Sequence, residues 1–202
     1  MNKTATPPNS DWLEKMHHDR LVNFLKNAIA IPVAQLRYVD LYTSLGCHGI
    51  YGFFAGDKYQ VVDSNTGEPI GCWYIGSANS KALVERIGCH FAPRYMDFGN
   101  SLIKRIAYTV ASDTDKSLFN VKDPSPQQEQ RMNEIIEKCF PILQSLQLKF
   151  FFYDEAGDEE LRDNIRADEK VLIKHFQPAF NNPKRSRPQL EIHDGKGRIV
   201  QY

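Results

Sequence analysis

The chain has 202 residues, 42% of them apolar and 11% aromatic, enough to bury one substantial core with elaborations. Its 25 Lys and Arg balance 25 Asp and Glu. A formal net charge of +0 excludes a polybasic or polyacidic protein chosen by its partners through bulk charge, although a neutral chain can still sort its charges onto one face. The longest apolar runs fall far short of the ~18–20 residues that span a bilayer. No membrane partner is therefore expected. The opening MNKTATPPNSDW carries no apolar stretch of the kind a secretory signal needs, so a cytoplasmic location is expected.

Residues 1–10 are polar, with a Pro7-Pro8 pair. Over residues 11–30, Leu21, Phe24, Leu25 and Ala28 recur at the spacing of one helix face. Pro32 ends that helix. Residues 49–54 and 59–62 are short β-prone runs separated by a turn-like Ala55-Gly56-Asp57-Lys58. A loop follows, and then a strand over 72–76. Helices are expected over 79–91 and 100–110, with a polar loop over 111–126. Ser125, Pro126 and Gln128 form a capping-box start for a helix carrying Met132, Ile135, Ile136 and Cys139, which Pro141 should kink or end. Residues 148–153 read as the best buried strand, and 159–176 as the last long helix.

Four cysteines, Cys47, Cys72, Cys89 and Cys139, contain no C-x-x-C pair, which fits a reducing compartment. Cys47-His48 and Cys89-His90 could between them offer four zinc ligands. Structural zinc sites draw their ligands from closer pairs, so the cysteines read as small apolar residues.

The last helix carries the first chemical signal. Ile165, Leu172, Ile173 and Phe176 share a face, and Glu169 falls on the same stripe. A carboxylate there must be paired with a cation, reach water at the rim, or hold a metal. Periodicity alone leaves the ion pair or the rim as the default.

A wider constellation weighs against that default. Gly49-Ile50-Tyr51 opens one strand and Tyr74-Ile75-Gly76 lies on another. Arg86 follows ten residues after Gly76, with His90 four further on the same helical face. Much later the stretch EKVLIKHFQPAFN runs from Glu169 to Asn181. This ordered set resembles the GIY-YIG nuclease family over residues 49–90 and 150–181. The spacing from Tyr74 to Arg86 is slightly long for the family, which leaves Arg105 as a competitor for the arginine role.

The resemblance implies a divalent-metal-dependent endonuclease acting on DNA. Glu169 would hold Mg²⁺, with Mn²⁺ able to replace it. Tyr51 would activate water, Tyr74 and His90 would assist or relay protons, and Asn181 would fix the geometry. The chemistry suits these residue types independently of the family. A hard cation that keeps most of its waters needs few protein ligands, and a forked, permanently charged Arg86 matches phosphate oxygens. Arg94, Lys104 and Arg105 are expected to contact the nucleic-acid backbone.

The expected fold class is α+β: a small, mainly antiparallel three-stranded sheet (49–54, 72–76 and 148–153) flanked by helices. An N-terminal helical extension over 1–45 and a helical insertion at 91–147 would decorate a module at 46–181, followed by a basic tail over 182–202. The size, with no separate DNA-binding domain, resembles the restriction-endonuclease branch, for which a homodimer would be favoured. The rival expectation is a nucleic-acid-binding module of the same fold without turnover.

Overall fold

The computed structural model describes residues 10–36, 48–79, 82–91, 101–153, 159–181 and 189–202. In chain order these form α1 (Ser10–Asn27), β1 (Ile31–Pro32), a 3₁₀ turn (Val33–Gln35), β2 (Gly49–Phe54), β3 (Tyr59–Asp63), β4 (Pro69–Ile70) and β5 (Cys72–Ala78). Next come α2 (Leu83–Gly88), α3 (Leu102–Val110), α4 (Asp113–Lys116) and a second 3₁₀ turn (Ser117–Asn120). The chain closes with α5 (Pro126–Gln144), β6 (Gln147–Phe152), α6 (Glu159–Phe176) and β7 (Leu190–Asp194). The fold is α+β, and every strand pairing is antiparallel.

The main sheet has the order β1-β6-β2-β5. Its three long strands are those expected, with the two-residue β1 added at one edge. Strand alternation gives the sheet two buried faces. Tyr51, Phe53, Trp73 and Tyr74 face a core shared with α2, α3 and α5. Ile50, Cys72, Ile75 and Phe151 face a second core with Leu21, Val22 and Leu25 of α1 and Ile165 and Leu172 of α6. Trp73 and Tyr74 are sequence neighbours yet share a face. The register explains this, since Phe53 pairs with Tyr74 and Phe54 with Cys72, leaving Trp73 as the extra residue of a bulge.

Several expectations are corrected. The expected three-stranded sheet is not the only one: the run at 59–62 forms β3 of a second sheet, ordered β4-β3-β7. The described part of the expected tail is not a tail. Leu190 and Ile192 are buried, and the N–H of Tyr202 donates to Val110 O at the end of α3. Residues 182–188 lie outside the described residues. The 91–147 segment is not decoration either, because its Leu102, Ile103, Ile106, Ile135, Ile136 and Cys139 build one wall of the larger core.

Pro141 does not end α5, which runs to Gln144. Its ring lies on the exposed side of the helix, where water can satisfy the carbonyl it leaves free, while buried Ile142 and Leu143 hold the last turn. The expected capping box is present, with Ser125 N–H donating to Gln128 Oε1 at 2.8 Å. Phe24, expected on the core face of α1, is mostly exposed, and Val22 is buried in its place.

Candidate active site

β5 is the edge strand of the main sheet, and its outer backbone groups determine what gathers there. Among the described residues no further strand covers them. The turn after α6 does so instead: Ala179 N–H donates to Cys72 O and Phe180 N–H to Trp73 O. Asn181 then accepts the Ile75 N–H through Oδ1 at 2.7 Å and returns its amide N–H to Ile75 O. Two residues further along the same edge, Ser77 donates its hydroxyl to Glu169 Oε2 at 2.7 Å. The edge thus joins Tyr74-Ile75-Gly76 to Glu169 and Asn181 through backbone geometry.

On the face toward α2, Tyr51 stands directly opposite Gly76. A Cβ at Gly76 would lie 2.5 Å from Tyr51 Oη and 2.8 Å from Tyr74 Cε1, so only glycine lets the Tyr51 ring lean across the strand. Gly49 is restricted in the same way, since a Cβ there would meet Phe151 O at 2.2 Å. The rings of Tyr51 and Tyr74 both flank His90, with centroids 5.6 and 4.8 Å from it.

His90 follows α2 and is fully buried. Its Nδ1 accepts the Leu102 N–H at 3.1 Å, at the start of α3. The single proton of the neutral ring is therefore on Nε2, 2.7 Å from Tyr51 Oη. His90 is thus a hydrogen-bond donor to Tyr51: the nitrogen facing the phenol already carries a proton. Burial, reinforced by the charges of Arg86 and Arg105, lowers its pKa to about 3.

Arg86 projects from α2, half-buried, with its guanidinium on the Tyr74 hydroxyl and within electrostatic reach of Tyr51 and Glu169. Burial pushes the phenols of Tyr51 and Tyr74 upward while Arg86 opposes the rise, so both are protonated at neutral pH. Burial also raises the Glu169 carboxyl, against the pull of Ser77 and Arg86.

Tyr51, Tyr74, Arg86, His90, Glu169 and Asn181 therefore meet at one end of the sheet, brought there by β2, β5, α2, α6 and the turn after it. Asn181 acts on backbone and positions β5. Arg105 is not a surface contact: it is only 7% exposed and faces Tyr74 and His90 from α3. Lys104 is partly exposed on the same helix, and Arg94 lies outside the described residues. Cys47 also lies outside them, and among the described residues no three His, Cys, Asp or Glu group to hold a metal. No described helix is long and apolar enough to cross a membrane.

Sequence reasoning missed Ser77, the Leu102 N–H and Asp168. The first two carry no sequence signal, because a serine on an edge strand and a backbone donor gain meaning only from what packs beside them. Asp168 did carry one, since it shares the apolar stripe of Ile165 and Leu172.

Compared with known protein families, with curated proteins and with solved structures, the chain matches none.

Proposed function

We propose that the protein is a divalent-metal-dependent endonuclease of the GIY-YIG type, hydrolysing phosphodiester bonds in DNA, with a restriction-type role in the cytoplasm as its setting. The observation that carries this reading is the convergence of Tyr51, Arg86 and Glu169, distant in sequence, around one edge strand.

Glu169 fits a hydrated Mg²⁺ or Mn²⁺. It is a hard oxygen donor, half-buried, and Ser77 orients its carboxylate through the hydroxyl and the backbone N–H. When bound, such an ion supplies Lewis-acid stabilisation and acidifies water.

The chain's own residues account for the rest. In hydrolysis a water oxygen bonds to phosphorus, the bond to the 3′ oxygen breaks, and the departing oxygen takes up a proton from solvent. Arg86 is placed to neutralise charge on the phosphate oxygens. Tyr51 would accept the proton of the attacking water as a phenolate, and His90 Nε2–H is aimed to stabilise that anion. Positive charge must offset the burial that holds Tyr51 protonated, and Arg86 supplies part of it.

A second reading, a nucleic-acid-binding module without turnover, is favoured by one observation: Tyr51 has no exposed surface. Plasmid cleavage with and without Mg²⁺, run beside Glu169→Ala, separates the two. Metal-dependent cutting that the variant loses supports the endonuclease. DNA binding with no cutting in Mg²⁺ or Mn²⁺ supports the module.

A further inference from the structure

Asp168 is a buried charged group to which the chemistry above gives no role; it is only 5% exposed. Its two oxygens serve two different elements. Oδ1 accepts from His17 Nε2 of α1 at 2.8 Å, and Oδ2 accepts the hydroxyl of Tyr153, the residue after β6. Tyr153 is itself fixed, because its N–H donates to His48 O just before β2 at 3.0 Å. Burial and the contact with Asp168 push the Tyr153 phenol upward, so it remains a donor.

Glu169 is the next residue on α6. Successive helix residues point ~100° apart, so the roll that aims Asp168 at His17 and Tyr153 also sets the direction of Glu169. Apolar packing of Ile165 and Leu172 holds α6 against the sheet but is non-directional, whereas hydrogen bonds from two sides fix a direction. A carboxylate about 6 Å from the axis would move about 2 Å for a 20° roll. That displacement equals a whole Mg–O bond length of ~2.1 Å.

We infer that Asp168 is a positioning residue for the metal ligand Glu169, anchored by His17 and Tyr153, so that α1 is part of the support of the metal site. This rests on the endonuclease reading. The test measures DNA cleavage over a Mg²⁺ series and Mn²⁺ binding by electron paramagnetic resonance. The proteins compared are the wild type, Asp168→Asn, Tyr153→Phe, His17→Ala and His17→Gln, each checked for folding by circular dichroism.

The Mg²⁺ midpoint should rise on the order of tenfold in Asp168→Asn and by less in His17→Ala and Tyr153→Phe. It should return to the wild-type value in His17→Gln, whose amide restores a donor. A merely structural role lowers the folded fraction and leaves the midpoint unchanged. His17 is largely exposed, so its variants keep the test decisive if Asp168→Asn does not fold. Unmoved midpoints in folded variants overturn the inference and spare the endonuclease. Absence of both cutting and Mn²⁺ binding in the wild type overturns the endonuclease reading, and the inference falls with it.

Discussion

His90 directs its Nε2 proton at the hydroxyl of Tyr51, 2.7 Å away, because its other ring nitrogen already accepts the Leu102 N–H. A histidine so placed does not titrate where histidines ordinarily do, since its pKa is depressed to about 3. Cleavage rates between pH 5 and 9 should therefore show no inflection from His90 near its ordinary pKa of ~6.5, and should rise toward alkaline pH as Tyr51 loses its proton. His90→Gln, which can keep an N–H donor, should retain more activity than His90→Ala. An inflection near neutrality that disappears in His90→Gln would instead assign His90 the relay role.

The same burial makes stability depend on pH. The folded pKa of His90 lies below the unfolded value, so between the two the unfolded chain binds more protons. The stability held by the neutral ring is complete above pH ~6.5 and is lost progressively as pH falls toward about 3. Moving from pH 6.5 to 5 should cost about 2 kcal/mol from this group alone. Urea unfolding at pH 7, 6 and 5 measures it, and His90→Gln should remove that part of the slope.

Gly76 gives a steric test of the motif. A methyl group there would meet Tyr51 Oη at 2.5 Å, Tyr51 Cζ at 2.6 Å and Tyr74 Cε1 at 2.8 Å, all on buried rings. Gly76→Ala should therefore lose about 1–3 kcal/mol of stability and most of the activity. Gly71, where a Cβ meets nothing within 4 Å, is the control. Gly71→Ala should stay within about 0.5 kcal/mol of the wild type by thermal melting.

These two glycines show what was legible in the sequence. Short β-prone, largely apolar runs marked β2, β5 and β6, and period-3.6 spacing marked α6. The Tyr51, Arg86 and Glu169 set was legible as ordered motifs, while its three-dimensional meaning depends on β5 being an edge strand. Pairings between remote segments were not legible. Nothing local in Leu190–Asp194 says that it joins Tyr59–Asp63, and nothing around Trp73 announces a bulge. Asp168 was within reach, since it lies on the same stripe as Glu169.

Asn181 tests how far positioning matters. It satisfies both the N–H and the C=O of Ile75 on the strand that carries Tyr74. Asn181→Ala leaves that pair to find water, at a cost of about 1–3 kcal/mol. Asn181→Asp keeps the acceptor but sets a carboxylate against Ile75 O, and should be no better. Hydrogen exchange at the Ile75 amide should accelerate in both variants. Unchanged protection there would show that the turn after α6, and not the Asn181 side chain, holds the strand edge.

The two arginines near Tyr74 should separate in kind. Arg86 is half-buried, not sealed in the core, and reaches both phenols and Glu169, so it can meet a phosphate at the rim. Arg105 is buried on α3, where desolvation lowers its pKa and Tyr74 partly compensates. Arg86→Ala should lower kcat/KM on the order of 10²-fold or more while leaving Tm nearly unchanged. Arg86→Lys should recover little, because an ammonium lacks the forked geometry. Arg105→Ala should instead act through the fold: a loss of about 2 kcal/mol would lower Tm by about 4–8 °C in a chain of this size. Its folded fraction should cleave at a rate closer to the wild type than Arg86→Ala does. Steady-state cleavage with melting curves on the same preparations decides between them, and the reverse pattern would move the phosphate-binding role from Arg86 to Arg105.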